Sequence, residues 1–148
     1  MKPRWQTLWI MFAVQVVGSL TFLTLTVLTP FVKSDFGVST TDIGILVTLL
    51  YAGYFSSVTT GGIVTDYAGE RFSLAVGLAL IGSISLLLSV LPTFWTVAGG
   101  AYVVGLGYGT VPSGTNKGIF DWFPTDQRTI GISIKQTGVM LGGAAGAA

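Results

Sequence analysis

The 148-residue sequence contains no cysteine and no histidine. Without thiolates and imidazoles it lacks the ligands of most zinc sites, the cysteine nucleophile and the histidine base. These absences exclude zinc enzymes and triad hydrolases. The sequence therefore predicts neither a metal site nor a cofactor.

Charged residues are also scarce. Seven Lys and Arg with six Asp and Glu make up 9% of the chain, whereas an ordinary soluble domain carries about 25%. The net charge of +1 is too small for the basic stripe that nucleic-acid binding requires. Apolar residues instead reach 51%, and the mean hydropathy is +0.76. This composition predicts an all-α protein that crosses a lipid bilayer several times and has no nucleic-acid partner.

Long uncharged runs mark the predicted spans, because a spanning helix needs about 20 predominantly apolar residues. The run from Phe72 to Asn116 is long enough for two helices, and Pro92 is a stop signal between them. Within 1–148 we predict one helical bundle with spans at about 8–29, 43–65, 72–91, 94–114 and 129–148. The odd number of spans and the Gly- and Ala-rich end favour a fragment of a longer protein.

The distribution of positive residues predicts the orientation, because cytoplasmic loops retain Lys and Arg. Five positive residues fall on one side of the predicted topology, namely Lys2, Arg4, Arg71, Lys117 and Arg128. Only Lys33 lies in a loop on the other side. We therefore expect a multi-pass protein of the cell (inner) membrane with a cytoplasmic N-terminus. A cleaved signal peptide is a less favoured interpretation of the first run, because that run is long and four spans follow it.

Two of the predicted spans contain large polar residues. Gln15 lies at mid-depth in the first span and is an equal candidate for helix packing or solute contact. Lys135 lies in the inner leaflet, on a face with Gly138 and Gly142 that we expect to meet another helix. Its ammonium either snorkels to the headgroups or faces a central cavity, where it would attract a carboxylate. We favour the cavity slightly, and the adjacent Gln136 joins the candidates.

Three tyrosines complete the predicted solute path. Tyr51 and Tyr54 lie halfway along the second span, so each hydroxyl needs either a buried partner or a watery cavity. Pro112 frees the carbonyl of Tyr108 from its helical bond, which predicts a bend or a polar contact there. The candidate path residues are Gln15, Tyr51, Tyr54, Tyr108, Lys135 and Gln136.

Small residues recur at every fourth position along the second span. This spacing lets another helix backbone approach closely, so it predicts helix packing. The stripe consists of Gly53, Ser57, Gly61 and Thr65.

The loop between the second and third spans reads GIVTDYAGER and contains Gly62, Asp66, Gly69 and Arg71. Gly69 permits a left-handed turn between two helices. The Asp66 carboxylate can face the positive N-terminus of another helix and hold one conformation, or the loop is merely solvated. This pattern of glycine, aspartate, glycine and basic residue resembles the signature of the major facilitator superfamily.

The segment from Trp122 to Gly138 also looks like the fourth-to-fifth helix region of bacterial facilitators, notably those for organic anions. The resemblance implies a twelve-helix fold in two six-helix halves, of which this chain is a partial N-terminal bundle. It further implies that the loop is a conformational latch whose partner lies in the missing C-terminal helices.

One departure from the family concerns energy coupling. Many proton-linked members have an arginine in helix four, and the two corresponding positions here are Ala101 and Val103. No Asp or Glu lies within any predicted span. A proton-carrying carboxylate would therefore have to come from helices outside this sequence, and the sequence does not predict proton symport.

These features predict secondary active transport of a small, anionic organic solute by alternating access between two helical bundles. The alternative is a non-transporting five-helix membrane scaffold that assembles through its glycine stripes. A reading frame that continues with seven more spans would favour transport. A membrane enzyme is least favoured, because the spans offer no acid pair, no histidine and no Gly-x-Ser-x-Gly elbow.

Overall fold

The computed structural model describes residues 3–90 and 93–147, which form six α-helices, one short 3-10 helix and no strand. The helices are α1 (Pro3–Val27), α2 (Thr29–Phe36), α3 (Thr40–Ala68), α4 (Glu70–Val90), α5 (Phe94–Trp122) and α6 (Arg128–Ala147), and the 3-10 helix covers Thr125–Gln127. The predicted all-α class is confirmed. Lys2, Leu91, Pro92 and Ala148, which the predicted topology uses, lie outside the described residues.

The first predicted span, 8–29, extends two residues beyond the end of α1. α1 ends at Val27, and the short α2 begins at Thr29 with Pro30 in its first turn. Proline is tolerated there because its missing N–H would have no partner within the helix. α2 therefore occupies positions that the sequence assigned to a loop, and it contains no buried residue.

Two helices extend beyond their predicted spans. α3 begins at Thr40, where the Ser39 hydroxyl accepts from Asp42 N–H and the Asp42 carboxylate accepts from Ser39 N–H at 2.9 Å. α5 continues through Pro112 and past the predicted end at Gly114 to Trp122. The span ends were placed near the first charged residues, but helical hydrogen bonds continue outside the hydrocarbon layer.

α5 lies at the centre of the bundle, where it packs against α3, α4 and α1. Its contact with α3 is close, because a Cβ added at Gly53 would clash with the carbonyl oxygen of Tyr102. A Cβ added at Gly105 would likewise clash with the carbonyl oxygen of Leu50. The small-residue stripe of α3 is buried, which confirms its predicted packing role. Its members are Gly53, Ser57, Gly61 and Thr65.

α6 packs mainly on α1 and only slightly on α5, its neighbour in sequence. A Cβ added at Gly138 would lie 3.1 Å from the carbonyl oxygen of Phe12, and one added at Gly142 would lie 2.5 Å from that of Val16. The expected meeting of this glycine face with another helix is confirmed. Lys135 lies one turn before Gly138 on the same face, so this packing also buries Lys135.

Three stretches of the described chain are long and apolar enough to cross a membrane: Arg4–Val27, Thr40–Ala68 and Glu70–Val90. α5 has the largest set of buried residues in the bundle, so much of its surface faces protein rather than lipid. A helix in that position does not need an apolar composition all round. The predicted spans at 94–114 and 129–148 stay predictions.

Candidate functional site

Lys135 is buried inside the bundle, with only 1% of its surface exposed. Its Nζ donates to Thr115 Oγ1 at 2.9 Å and to Asn116 Oδ1 at 2.8 Å, so its side chain reaches α5. Snorkelling would require the ammonium to extend to the headgroups. The structure instead shows an inward-facing Lys135 Nζ whose two hydrogen-bond partners are neutral.

A chain of hydrogen bonds runs from Lys135 into the interior. Thr115 Oγ1 lies 3.3 Å from Gln15 Oε1, and Gln15 Nε2 donates to the Tyr108 hydroxyl at 3.4 Å. Ser19 Oγ contacts the same Tyr108 hydroxyl at 3.0 Å and Gln15 Nε2 at 3.5 Å. We call this set the polar chain. Its members are Lys135, Asn116, Thr115, Gln15, Ser19 and Tyr108, and they come from α1, α5 and α6.

Thr115 connects the two halves of the polar chain. Its hydroxyl accepts from Lys135 and has one hydrogen to donate. The acceptors within reach are the Val111 carbonyl at 2.6 Å, Gln15 Oε1 at 3.3 Å and the Pro112 carbonyl at 3.3 Å. A solute that engages Lys135 or Gln15 would therefore change the hydrogen bonding of the other through Thr115.

Tyr108 also joins an aromatic cluster, defined as Phe22, Tyr51, Tyr54, Phe55 and Tyr108. Its ring stacks on Phe22 with centroids 4.6 Å apart and on Tyr54 with centroids 5.6 Å apart. Tyr51 meets Phe22 edge to face at 5.4 Å, and 38% of its surface is exposed. The cluster therefore extends from the buried polar chain to an exposed surface of α3.

The structure brings together five of the six predicted path residues. Gln15, Tyr108 and Lys135 lie in the polar chain, while Tyr51 and Tyr54 lie in the aromatic cluster. Gln136 is exposed on another face of α6 and does not join either group.

Sequence reasoning missed five residues of this region. Thr115 and Asn116 lie just beyond the predicted end of the fourth span at Gly114, and a hydroxyl within a span, such as that of Ser19, often serves only helix packing. Phe22 and Phe55 do not stand out in the sequence from the other apolar residues of α1 and α3. The sequence nevertheless contains a signal for Thr115 and Asn116. A buried ammonium needs oxygen acceptors, and both residues directly follow the predicted fourth span.

The loop between α3 and α4 differs in detail from the expected left-handed turn. Gly69 has a positive φ of 86°, as predicted, but its ψ is 162°, which is extended rather than left-handed helical. Asp66 and Arg71 are both exposed on either side of it, and Gly62 is half-buried. Thr65 and Ser73 join the two helices through a buried hydrogen bond of 2.7 Å.

A cavity of about 330 Å³ lies beside this loop. Its wall includes Thr7 of α1, Glu70 and Arg71 of α4, and Trp122 of α5. The beginning of α1, the beginning of α4 and the end of α5 therefore lie at the same end of the bundle. Over the described ranges no group of three or more Cys, His, Asp or Glu is placed to hold a metal ion.

Comparisons with known proteins agree with this architecture. A model of the Major Facilitator Superfamily matches residues 10–148. The chain is 26% identical over 143 residues to the hexuronate transporter of Bacillus subtilis (strain 168), which covers 97% of this chain and 34% of that protein. An MFS-type transporter of Mycobacterium tuberculosis, found in two strains, is 27% identical over 120 residues and covers 81% of this chain.

No solved structure matches the chain. The chain spans 34% and 27% of the length of the two kinds of relative, so it corresponds to part of such a protein. The family match covers α1 from residue 10 onward and all of α2 to α6, and it accords with the helical bundle and its apolar spans. This chain belongs to the major facilitator superfamily and is part of a multi-pass helical bundle of that fold.

Proposed function

We propose that the complete protein transports a small organic anion by alternating access, with Lys135 binding the carboxylate of the solute. The observation that carries this proposal is the burial of Lys135 Nζ among neutral partners. The proposal keeps the predicted transport of a small anionic solute and names the Lys135 side chain as the group that binds it.

The electrostatics of Lys135 support an anionic solute. Removing a charge from water is costly unless a counter-charge or strong hydrogen bonds replace the solvent. Thr115 and Asn116 offer hydrogen bonds without charge, and the ion pair present in the described chain joins Lys117 to Asp121 instead. A solute carboxylate would supply the counter-charge through charge-assisted hydrogen bonds.

The surroundings of Lys135 support a hydroxylated acid. The Bacillus subtilis relative is named a hexuronate transporter, and a hexuronate combines one carboxylate with several hydroxyls. Asn116, Thr115 and Gln15 supply amide and hydroxyl groups that can bind those hydroxyls. The aromatic cluster adds apolar ring faces against which the C–H groups of a sugar ring can pack. A sugar acid is therefore the first solute to test.

The proposed path retains all six candidate residues. Gln136 would contribute only where further helices of the complete protein cover the exposed face of α6. Gly62, Asp66, Gly69 and Arg71 are proposed as the conformational latch, on the strength of the family match and their place between α3 and α4.

The proposed orientation in the inner membrane places the N-terminus in the cytoplasm. Arg4, Arg71, Lys117 and Arg128 lie near the beginning of α1, the beginning of α4, the end of α5 and the beginning of α6, respectively. The cavity beside the loop supports a common end for the first three of these helix termini. Lys33 lies on α2, which follows the opposite end of α1. The positive-inside rule then favours a cytoplasmic N-terminus.

Uptake of radiolabelled glucuronate into cells that express the full-length protein tests the proposed site. Lys135→Ala and Lys135→Gln remove the ammonium, and we expect both to lose uptake while the protein remains in the membrane fraction. Lys117→Ala, which removes a partly exposed lysine of α5, is the matched control and should retain uptake. Wild-type uptake in both Lys135 variants would contradict the assignment of Lys135 as the anion site.

A further inference from the structure

We infer that Lys135 is also the proton carrier of the transport cycle. In this inference the empty site holds a neutral amine, and each solute carboxylate enters with one proton that converts the amine to an ammonium. The inference rests on the proposed function, because it requires the anion to bind at Lys135. The predicted spans contain no carboxylate that could carry a proton, and the inference assigns this role to a lysine instead.

The hydrogen-bond geometry suits both protonation states. A neutral lysine amine has two N–H donors, whereas an ammonium has three. Lys135 Nζ has two acceptors among the described residues, Thr115 Oγ1 at 2.9 Å and Asn116 Oδ1 at 2.8 Å. The neutral amine can therefore keep both contacts while the site is empty. In the protonated form, the third N–H is available to a solute carboxylate.

No charged group of the described chain compensates Lys135. On α1, the neighbouring polar chain residues are Gln15 and Ser19, and on α5 they are Thr115 and Asn116; none of these titrates near neutral pH. Beyond Gln15 lies the phenol of Tyr108, which stacks on the Tyr54 ring of α3. The acidic residues of the chain are Asp35, Asp42, Asp66, Glu70, Asp121 and Asp126, and none forms an ion pair with Lys135.

The remaining nearby cations are held elsewhere. Lys117 of α5 pairs with Asp121 at 3.5 Å. Arg128 at the beginning of α6 donates to the carbonyl oxygens of Phe120 and Phe123 at 2.9 and 3.2 Å. In α4, Glu70 and Arg71 line the cavity beside the loop rather than the polar chain. Lys135 is thus the group of this region whose charge can change with solute occupancy.

The proposed cycle conserves protons and charge. On the outer side the Lys135 amine takes one proton from water, and the resulting ammonium binds one carboxylate, so the pair is neutral overall. On the inner side the carboxylate leaves and the ammonium returns its proton to water. The empty carrier then reorients with a neutral amine, which avoids the cost of an uncompensated charge in a low-dielectric interior.

Proteoliposomes that contain the wild-type full-length protein test the proton step without any variant. We would impose an inward glucuronate gradient, hold the membrane potential at zero and record internal pH with an entrapped dye. The inference expects internal acidification of one proton for each glucuronate that enters. Glucuronate entry without acidification would overturn the proton role and leave the transport proposal standing. A wild-type protein that moves no glucuronate would overturn both.

Lys135→Arg separates proton coupling from anion binding, because a guanidinium remains charged throughout the accessible pH range. Exchange of internal for external glucuronate keeps the site occupied in both half-reactions, so the ratio of net uptake to exchange separates the two roles. Lys135→Arg should lower net uptake and the accompanying acidification more than it lowers exchange. Lys117→Arg makes the same substitution at a partly exposed lysine and should retain both activities. Wild-type net uptake with acidification in Lys135→Arg would overturn the inference.

Discussion

At the scale of single residues, the burial of the Lys135 side chain is made possible by its neighbours. Gly138 and Gly142 let α6 approach the backbone of α1, and Thr115 and Asn116 of α5 supply two oxygens at hydrogen-bond distance. Because these oxygens are neutral, a protonated Lys135 has no counter-charge among them, and a bound anion can supply one. The balance between hydrogen bonding and charge at this one atom therefore decides what the site can bind.

Asn116→Asp tests that balance with a change of nearly constant shape. The new carboxylate would lie about 2.8 Å from Lys135 Nζ and pair with it in place of the solute. We expect glucuronate uptake at low solute concentration to fall about tenfold or more, equivalent to about 1.4 kcal/mol or more of lost solute binding. The measurement is initial uptake at equal amounts of membrane protein.

Asp121→Asn serves as the control for Asn116→Asp. It changes charge by one unit on the same helix, but at a half-exposed position that pairs with Lys117. Its uptake should stay close to that of the wild type. Undiminished uptake in Asn116→Asp would show that Lys135 does not contact the anion.

The residues that sequence reasoning found are those that stand out from an apolar background. Gln15, Tyr108 and Lys135 are polar groups within apolar runs, so their positions alone marked them as candidates. Thr115 and Asn116 did not stand out, because they follow the apolar part of α5 and look like the start of a loop. Their role depends on α6 lying against α1, and no local pattern determines that arrangement.

At the scale of helices, glycines fix which surfaces meet. Gly53 of α3 and Gly105 of α5 each face a backbone carbonyl of the other helix, so the two helix axes approach closely along this seam. Close approach lets dispersion contacts stabilise helix pairs in lipid, where the hydrophobic effect between helices is absent. The α3–α5 seam is therefore expected to tolerate no added side-chain atoms.

Gly53→Ala tests this seam. The added Cβ would clash with the Tyr102 carbonyl, and relieving such overpacking typically costs about 1–3 kcal/mol. We expect the thermal unfolding midpoint of the full-length protein in detergent to fall by several degrees. Gly82→Ala is the control, because a Cβ at Gly82 meets no atom within 4 Å. Equal midpoints for the two variants would contradict the close packing of α3 on α5.

The helix boundaries show where sequence patterns stop being informative. The small-residue stripe correctly predicted the buried face of α3, because residues four positions apart lie on the same face of a helix whatever its neighbours are. The extra α2 and the extension of α5 to Trp122 were missed, because span prediction reports the apolar layer and not the hydrogen-bonded helix. Pro112 lies inside α5, which continues through it, and the bend or polar contact expected at Tyr108 stays a prediction.

At the scale of the whole molecule, the clustering of helix ends predicts accessibility from the two sides of the membrane. Residues 1–148 contain no cysteine, so a single cysteine introduced among them gives a defined position for chemical labelling. Ser34→Cys on exposed α2 should react with a membrane-impermeant maleimide in intact cells. Tyr67→Cys, at a position 91% exposed beside the α3–α4 loop, should react only after permeabilisation. The reverse pattern would overturn the proposed orientation.

The packing of α6 on α1 has a consequence for biosynthesis. Gln15 finds its partner Thr115 only 100 residues later in the chain, and α6, which covers the same face of α1, follows later still. At typical rates of translation this separation corresponds to a delay of about 5–20 s. During that interval the polar side of the first helix has emerged from the ribosome without its final neighbours. The insertion machinery must therefore keep the Gln15 amide and the Ser19 hydroxyl out of contact with lipid until the later helices are inserted.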